Sequence, residues 1–396
     1  MADGRPDEAV LAYRQALAAR PDDVTLLLGL AKALSAQGRG RTAAEALKRA
    51  VTLKPQDASI HAALAGLVTR PQEGQSLTLA WLSTGINAEP VGMASDGGRL
   101  YVAYVRGSLV ALEQSSGWML WETTMMDELA SAPVVDGAQV WVGTAKGSVF
   151  IYDAVSGDLL GSYQTGGAVT AAPALTPDTA YCPSNDGTLY ALDRVTLKLK
   201  WKALVGSAMH VSPLVSGQTV YVGANDGRLY GFNASNGERI WQYGIPTQAA
   251  VESLPVLSNG RVFFGSGDGR VYALDAETGG QYWRFSTPDA VYATPLVLND
   301  RVIVASSGLV LASLKFEDGT AIWSTPFEHP ISEAPVFFKD RLFLVTRNAP
   351  GLYAVDPTNG KILGQVNTGD WVTQGPLVVG SDLLLLGKDG AVFLYR

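Results

Sequence analysis

From residue 77 to the C-terminus, the chain alternates apolar and polar residues in short runs that are separated by turns containing glycine. The stretch 212–243 shows the plan. A short strand at 212–215 is followed by alternating strands at 219–223, 229–232 and 239–243, with Asn225-Asp226-Gly227 and Asn236-Gly237 between them. Alternation of this kind is typical of β-strands, and Asp-Gly and Asn-Gly pairs are typical of hairpin turns. We therefore expect units of four antiparallel strands.

These units repeat with a period of about 40 residues. One marker is a proline that opens each unit: Pro90, Pro133, Pro173, Pro213, Pro255, Pro295, Pro335 and Pro376. A second marker in the fourth strand keeps the same spacing: Trp81, Trp121, Gly161, Trp201, Trp241, Trp283, Trp323 and Gly364. Two markers in phase predict radial repetition, and the count of units predicts a mainly β chain folded as an eight-bladed β-propeller.

The two ends of the β region complement each other. The last unit stops after its third strand, at Arg396, whereas residues 77–82 form a strand that contains Trp81 and precedes the first proline. We expect this strand to complete the eighth blade, which would remove the exposed sheet edges of an open array.

The N-terminal region has a helical pattern, with Leu27, Leu30, Ala31 and Leu34 on one face. Its prolines Pro21 and Pro55 are 34 residues apart, the period of tetratricopeptide repeats, and Ala43, Leu47 and Ala50 also match, so the segment resembles that family. We expect partial repeats over 1–70, a linker over 71–76 and the propeller over 77–396. Because the first repeat begins in its second half, we also expect the chain to be a fragment of a longer protein.

Composition narrows the possible partners. Of the 396 residues, 47% are hydrophobic and 17% charged, as in a folded globular protein. Residues 71–396 carry 20 Lys and Arg against 30 Asp and Glu, a balance of −10, which argues against nucleic acid as a partner. No apolar run reaches the roughly 18 residues of a membrane span. Peripheral membrane association would need a part that precedes this chain. Cys182 is the only cysteine, so no intrachain disulfide can form.

The ends of several units share a further motif. Tyr-Ala-Leu-Asp at 190–193 and 272–275, and Tyr-Ala-Val-Asp at 353–356, each precede the tryptophan position by the same interval. This resembles the pyrroloquinoline-quinone (PQQ) type repeat, over about 320 residues. The resemblance implies that most tryptophans are structural and stack on glycine at the seams between blades. Gly161, Gly364 and Leu197, which replaces a turn glycine, depart from the pattern, so we expect weaker seams there.

The resemblance also raises the question of enzyme chemistry. Quinoprotein dehydrogenases with this fold hold PQQ and calcium above the axis, use a catalytic Asp and often carry a disulfide between neighbouring cysteines. This chain has one cysteine and no long insertions between its units. Its His61, His210 and His329 are scattered, and we interpret the Asp-Gly turns as tight hairpins with both central positions at positive φ, not as calcium loops. We expect no cofactor; a PQQ-dependent dehydrogenase remains the alternative.

Comparison among the units indicates a binding face. Four residues before each proline the side chain is apolar, and one residue later it varies: Asn87, Ala130, Thr170, His210, Glu252, Tyr292, Ser332 and Thr373. Strand alternation directs this varied column away from the core. From it and the preceding loops we select candidate partner-binding residues: Asp127, Glu128, His210, Glu252, Asp289, Tyr292, His329, Asp370 and Trp371.

These observations favour a non-enzymatic protein-interaction scaffold with other proteins as partners. Among non-catalytic relatives, the blade count and the short loops resemble the BamB-like propeller lipoproteins of outer-membrane β-barrel assembly. That resemblance implies a bacterial envelope or periplasmic location, although such propellers do not normally carry tetratricopeptide helices. A second alternative is the sensor domain of a larger signalling protein, such as a receptor kinase.

Overall fold

A computed structural model of the chain describes residues 6–37, 40–54, 57, 59–60, 63, 77, 79–83, 88–331, 333–347, 351–366 and 372–396. Several residues named above lie outside these ranges: Pro55, the linker 71–76, Asn87, Ser332, Asp370 and Trp371.

Within the described residues, three bounded helices precede the strands: α1 (Pro6–Ala19), α2 (Val24–Ala36) and α3 (Gly40–Leu53). Asp23 caps α2, since its carboxylate accepts hydrogen bonds from the backbone N–H groups of Thr25 and Leu26 at 3.0 and 3.2 Å. The apolar face expected on α2 is buried, and a Cβ on Gly29 would lie only 2.3 Å from the ring of Tyr13 on α1. The glycine therefore lets the first two helices approach closely.

The strands form eight four-stranded antiparallel sheets, as the repeat count predicts. Strand β1 (Leu79–Ser83) precedes the first complete sheet. Blades 1 and 2 consist of β2 (Pro90–Ser95), β3 (Arg99–Tyr104), β4 (Ser108–Glu113), β5 (Met119–Thr124) and β6 (Val134–Asp136), β7 (Gln139–Gly143), β8 (Ser148–Asp153), β9 (Leu159–Gln164). Blades 3 and 4 consist of β10 (Ala174–Leu175), β11 (Thr179–Pro183), β12 (Thr188–Asp193), β13 (Leu199–Leu204) and β14 (Leu214–Ser216), β15 (Thr219–Ala224), β16 (Arg228–Asn233), β17 (Arg239–Gly244).

The remaining sheets follow the same plan. Blades 5 and 6 consist of β18 (Val256–Ser258), β19 (Arg261–Ser266), β20 (Arg270–Asp275), β21 (Gln281–Ser286) and β22 (Leu296–Leu298), β23 (Arg301–Ser306), β24 (Val310–Lys315), β25 (Ala321–Pro326). Blades 7 and 8 consist of β26 (Val336–Phe338), β27 (Arg341–Val345), β28 (Leu352–Val355), β29 (Ile362–Val366) and β30 (Val372–Val379), β31 (Asp382–Gly387), β32 (Val392–Tyr395). In each complete blade the first strand lies at the axis and the fourth at the circumference.

Blade 8 takes its fourth strand from the other end of the β region. Strand β1 pairs antiparallel with β32, from Leu79 opposite Tyr395 to Ser83 opposite Val392. Within the described residues this strand covers Leu79–Ser83, where the sequence analysis expected 77–82, and its partner β32 is four residues long. The described part of the propeller is thereby a closed ring.

The turns between the second and third strands differ from expectation. In Asn225-Asp226-Gly227 only the glycine has a positive φ, of 76°, and the same holds at Asp186-Gly187, Asp268-Gly269 and Asp389-Gly390. The register pairs Ala224 with Arg228, which leaves three residues in the loop. A three-residue hairpin needs a single left-handed residue, so the prediction that both central positions take positive φ was wrong.

Tryptophans seal most seams between blades, as the repeat resemblance implies. Trp241 of blade 4 lies against Gly279 in the last turn of blade 5, and its Nε1 donates to the Ala276 carbonyl at 3.1 Å. The hydroxyl of Tyr221 donates to the same oxygen at 3.2 Å. Glycine is required in that turn because its φ is +70° and a Cβ would lie 2.7 Å from the indole. Aromatic area and the indole hydrogen bond therefore hold each such seam, and a tyrosine hydroxyl adds a second bond at the seams of Trp121, Trp201 and Trp241.

The departures at Gly161 and Leu197 turn out to be one feature. Leu197 of blade 3 takes the place of the turn glycine at a φ of 56°, and its side chain packs against Gly161 of blade 2. A Cβ on Gly161 would lie 2.4 Å from Leu197 Cδ1. At the other seams the earlier blade supplies the large apolar side chain and the following blade supplies the glycine. Here the following blade supplies the apolar side chain, Leu197, and the earlier blade supplies the glycine, Gly161.

Gly364 has a different explanation. The tryptophan of each blade stacks on the last turn of the following blade, but blade 8 has no turn between its third and fourth strands. Those strands, β32 and β1, are distant in sequence and meet only by pairing. A tryptophan at position 364 would have no turn glycine to receive it.

The ring has two distinct faces. The upper face carries the turns between second and third strands and the loops that lead to each first strand; the lower face carries the other two sets of turns. Backbone hydrogen bonds connect the turns of each face. On the upper face the Asn225 N–H donates to the Ala208 carbonyl at 3.0 Å, and on the lower face the Ala276 N–H donates to the Gly260 carbonyl at 2.9 Å. Because Leu79 pairs with Tyr395, the chain enters β1 from the lower side.

Candidate interaction face

The upper face is built from one repeated contact. In seven blades the first residue of the upper turn donates its N–H to the loop that precedes the first strand, for example Asn185 to Ala168 at 2.8 Å and Ser307 to Ala290 at 3.0 Å. This bond joins two loops that belong to the same blade but are about 17 residues apart. The backbone of each of these loops is therefore tied to the upper turn of its own blade.

The apolar column and the varied column that precede each proline differ in burial, as strand alternation predicts. The apolar column is buried at its described positions: Leu129, Val169, Met209, Val251, Val291, Ile331 and Val372. In the next column His210 and Tyr292 are exposed, and Thr170 and Glu252 are partly exposed. The Thr170 hydroxyl lies 3.0 Å from His210 Nδ1 of the following blade, so residues of this column reach their neighbours around the ring.

His210, Glu252 and Tyr292 lie on three consecutive blades, 4, 5 and 6. The Glu252 side chain rests beside Gly267 of its own upper turn, where a Cβ would lie 3.5 Å from Oε1. Tyr292 leaves 42% of its surface exposed. A base, an acid and an aromatic ring therefore succeed one another along this arc, which is a suitable set for a polar protein surface.

The four other described candidates, which lie in the loops before the varied column, differ in exposure. Glu128 and Asp289 are exposed, and Asp127 and His329 are partly buried. Asp289 also supports its own loop: its carboxylate accepts from the Ala290 N–H at 2.7 Å, and its carbonyl accepts from the Ser306 hydroxyl at 2.9 Å. Among the seven candidates within the described ranges, no hydrogen bond or ion pair joins one to another, so they form a ring of separate groups.

Sequence reasoning missed Glu333, two residues before Pro335 on blade 7. Its carboxylate accepts a long hydrogen bond, 3.4 Å, from the N–H of Gly375 on the first strand of blade 8. Burial raises the pKa of this carboxyl group to about 7, although that hydrogen bond and the charge of Arg347 act in the opposite direction. The seven equivalent positions hold Ala88, Ser131, Ala171, Val211, Ser253, Ala293 and Gln374, so the lone acid in that column was the available signal.

Gln374 makes the corresponding contact at the next seam. Its Oε1 accepts from the Met93 N–H at 3.1 Å, and its Nε2 donates to the Val91 carbonyl at 3.2 Å, both on the first strand of blade 1. The serines of this column instead bond within their own blades, as Ser253 does to the Gly265 N–H at 2.7 Å. The two seams that flank blade 8 are therefore bridged near the axis by long polar side chains.

Glu333 predicts a pH-dependent stability. A carboxyl group whose pKa is higher in the folded than in the unfolded chain favours folding when protonated, so stability falls as pH rises from about 4.5 to 7. Glu333→Gln stays neutral and retains the acceptor for Gly375. We expect the variant to match the wild type at pH 4 and to exceed it at pH 8 by roughly 1–3 kcal/mol, at about 1.4 kcal/mol per pKa unit.

Denaturant unfolding at several pH values measures this difference. Glu128→Gln, at an exposed carboxylate on the same face, is the matched control. A Glu333→Gln effect that is the same at pH 4 and pH 8 would contradict the assignment.

A cavity of about 330 Å³ opens between the first strands of blades 5, 6 and 7, beside the axis. Its walls are small or apolar, including Val256, Leu257, Thr294, Leu296 and Ala334. Glu333 directly precedes one wall residue, and Tyr292 lies two residues before another. The cavity thus lies under the arc of the upper face that carries the acid and aromatic candidates.

The described residues offer little for covalent or metal chemistry. Within the described ranges, no three His, Cys, Asp or Glu side chains lie close enough together to hold a metal ion. Burial raises the pKa of the Cys182 thiol to about 12, which keeps it protonated and unreactive. The Asp186 carboxylate is engaged by the Thr188 N–H and the Tyr190 hydroxyl at 2.8 and 2.6 Å, as in a hairpin turn. No helix within the described ranges has the length and apolar character to cross a bilayer.

Both the helical part and the strand part of the chain match models of known protein families. A profile described as "Beta-alanine-activating enzyme, beta-propeller" matches residues 82–392, and a profile described as "Tetratricopeptide repeat" matches residues 1–67. Among curated proteins, none is similar enough in sequence to count as a relative.

Solved structures share the ring architecture. BamB from Moraxella catarrhalis aligns with a TM-score of 0.69 and 19% identity, over 81% of this chain and 98% of that one. The computationally designed Ika8 protein aligns with a TM-score of 0.70 and 18% identity, over 78% of this chain and 96% of that one. At such identities the likeness concerns the fold, which is a BamB-like eight-bladed propeller.

Proposed function

The chain belongs to the beta-propeller family of the beta-alanine-activating enzyme, and from that premise we propose that it is a non-enzymatic platform for binding other proteins. In this proposal residues 77–396 provide the binding face and the helical repeats of residues 1–70 form a second interaction module, joined to it through 71–76. The location we propose is the bacterial envelope, with the BamB-like fold as its support.

One observation carries the proposal. The residue types at eight equivalent positions diverge along the sequence, whereas the neighbouring column is apolar throughout and is buried at each position that the structure describes. Repeats that differ at one face are typical of scaffolds whose binding surface lies on that face. We assign partner contact to His210, Glu252 and Tyr292 on the arc of blades 4 to 6, together with Asp127, Glu128, Asp289, His329, Asp370 and Trp371 around it.

The family description favours a second candidate, a propeller that serves a substrate-activating enzyme. A PQQ-dependent dehydrogenase fits less well, because the described residues offer no group of metal ligands for a calcium ion and the chain has one buried cysteine. Thermal melting with added PQQ and calcium separates these ideas: a rise in melting temperature with both would favour the cofactor enzyme.

Partner capture tests the proposed face. We expect His210→Ala combined with Tyr292→Ala to lower recovery of cross-linked partners from source cells by about tenfold or more, since exposed aromatic residues are frequent energetic anchors of interfaces. Quantitative mass spectrometry of the captured proteins measures the loss. Ile240→Ala, 50% exposed on the outer strand of blade 4, is the matched control. Equal recovery with the double variant and the control would count against the upper face.

A further inference from the structure

Asparagine is followed by glycine at three places in the chain, all in turns of the lower face: Asn236-Gly237, Asn259-Gly260 and Asn359-Gly360. This dipeptide is chemically labile, because the backbone nitrogen of the glycine can attack the side-chain carbonyl carbon of the asparagine. Asparagine is counted among the thermolabile residues of proteins. All three asparagines are exposed, so exposure alone does not distinguish them.

The site in the last turn of blade 4 is held by hydrogen bonds that oppose this attack. The Gly237 N–H donates to the Asn233 carbonyl at 2.8 Å. The Asn236 side chain donates to Glu238 Oε2 at 2.9 Å and accepts from the Glu238 N–H at 3.0 Å. The attacking nitrogen must lose its proton and turn toward the side chain, so each of these bonds restrains the reaction.

The last turn of blade 7 is held in the same way. The Gly360 N–H donates to the Asp356 carbonyl at 2.9 Å. The Asn359 side chain donates to Asp356 Oδ2 at 3.0 Å and accepts from the Lys361 N–H at 2.8 Å. Asn236 and Asn359 are therefore both protected by the fold.

Asn259 lies in a different kind of turn, between the first two strands of blade 5. Ser258 pairs with Arg261, which leaves two residues in the loop. Their φ angles are 45° for Asn259 and 72° for Gly260, as in a type I′ hairpin. The closing bond of such a turn does not involve the N–H of its second central residue. Within the described ranges, neither the Gly260 N–H nor the Asn259 side chain has a hydrogen-bond partner.

We infer that Asn259 is a site of spontaneous deamidation, with water as the co-reactant. The Gly260 nitrogen gives up its proton and bonds to Cγ of Asn259. The bond from Cγ to Nδ2 breaks, and Nδ2 leaves as ammonia with a proton taken from solvent. Water then opens the cyclic succinimide at one of its carbonyl carbons. The product is aspartate, or isoaspartate with one additional carbon in the main chain.

Conversion at this turn reaches the seam between blades 4 and 5. The Gly260 carbonyl accepts from the Ala276 N–H at 2.9 Å, and the Ala276 carbonyl accepts from Trp241 Nε1 at 3.1 Å. An additional carbon in a two-residue loop displaces the Gly260 carbonyl. Isoaspartate at 259 therefore loosens the peptide that anchors the indole of Trp241.

Blade 7 supplies the design of a matched variant. Lys339 and Asp340 form the equivalent two-residue loop, with φ angles of 46° and 61°, so the same turn folds without glycine. Gly260→Asp therefore keeps Asn259 and the turn. It should slow deamidation of Asn259 by about tenfold or more, because only glycine allows such close approach of the backbone nitrogen.

Peptide mapping by mass spectrometry tests the inference, after incubation of the folded protein at about pH 8 and 37 °C. We expect Asn259 to convert about tenfold faster, or more, than Asn236 and Asn359, because each of those is held by three hydrogen bonds. In the chain unfolded in urea, the three should convert at comparable rates, because each precedes a glycine.

Equal rates at the three asparagines of the folded protein, or fastest conversion at Asn236 or Asn359, would overturn the inference. Unchanged conversion of Asn259 in Gly260→Asp would do the same. Amide hydrogen exchange of Ala276 measures the effect on the seam and should quicken in the fraction that carries isoaspartate. Exchange at the rate of the fresh protein would refute the link between this turn and the seam.

Discussion

Replacing Trp81 with alanine should lower the free energy of unfolding by about 3–5 kcal/mol, as for other large aromatic residues removed from a core. Trp81 is 4% exposed, lies on β1 and stacks on Gly117 of blade 1. Its Nε1 donates to the Gln114 carbonyl at 2.8 Å. The change would remove the aromatic seal of the seam where the N-terminal strand closes the ring. Chemical denaturation of the purified protein measures the loss.

Trp118→Ala is the matched control for Trp81→Ala. Trp118 adjoins Gly117, the glycine on which Trp81 stacks, but 46% of it is exposed. Measured in dilute solution, its removal should change stability by about 0.5 kcal/mol or less, as is usual for surface positions. Similar losses for both variants would mean that the closing seam does not depend on buried aromatic packing.

Exchanging the two residues of the seam between blades 2 and 3 should show strong coupling. Gly161→Trp alone drives the indole into Leu197 and should cost about 1–3 kcal/mol, and Leu197→Gly alone leaves a gap of similar cost. The double variant recreates the tryptophan-on-glycine contact of the other seams and relieves the left-handed leucine. We expect it to unfold at wild-type stability or above, with a coupling free energy of about 2–3 kcal/mol.

A double-mutant cycle of unfolding free energies measures this coupling. Trp201 and Gly237 form the standard seam one blade further on, and the paired exchange Trp201→Gly with Gly237→Leu is the mirror control. Additive effects of Gly161→Trp and Leu197→Gly would contradict the view that the two residues compensate each other.

Much of the architecture could be predicted because one constraint recurs in every unit. The prolines and tryptophans mark equivalent places in the sheet, and the apolar column before each proline is buried wherever the structure describes it. Strand periodicity then determined which column faces outward, including His210 and Tyr292. The turn geometry was predicted wrongly because Asp-Gly suits both two-residue and three-residue hairpins, and the choice depends on strand register.

Features that depend on contacts with the neighbouring blade could not be predicted from the sequence. Gly161 and Leu197 are 36 positions apart, so the sequence shows them as two separate departures from the repeat pattern. The structure shows that they contact each other across one seam. Glu333 acts on Gly375 of the next blade, and its raised pKa results from burial that a single unit does not show.

Amide hydrogen exchange of residues 79–83 tests most directly whether β1 closes the ring with β32. If the strand is part of blade 8, its hydrogen-bonded amides should exchange only about as fast as those of β32 and of the central strands of the other blades. Exchange of these amides at the rate of an unfolded chain, while Val392–Tyr395 stays protected, would contradict the closed eight-bladed ring.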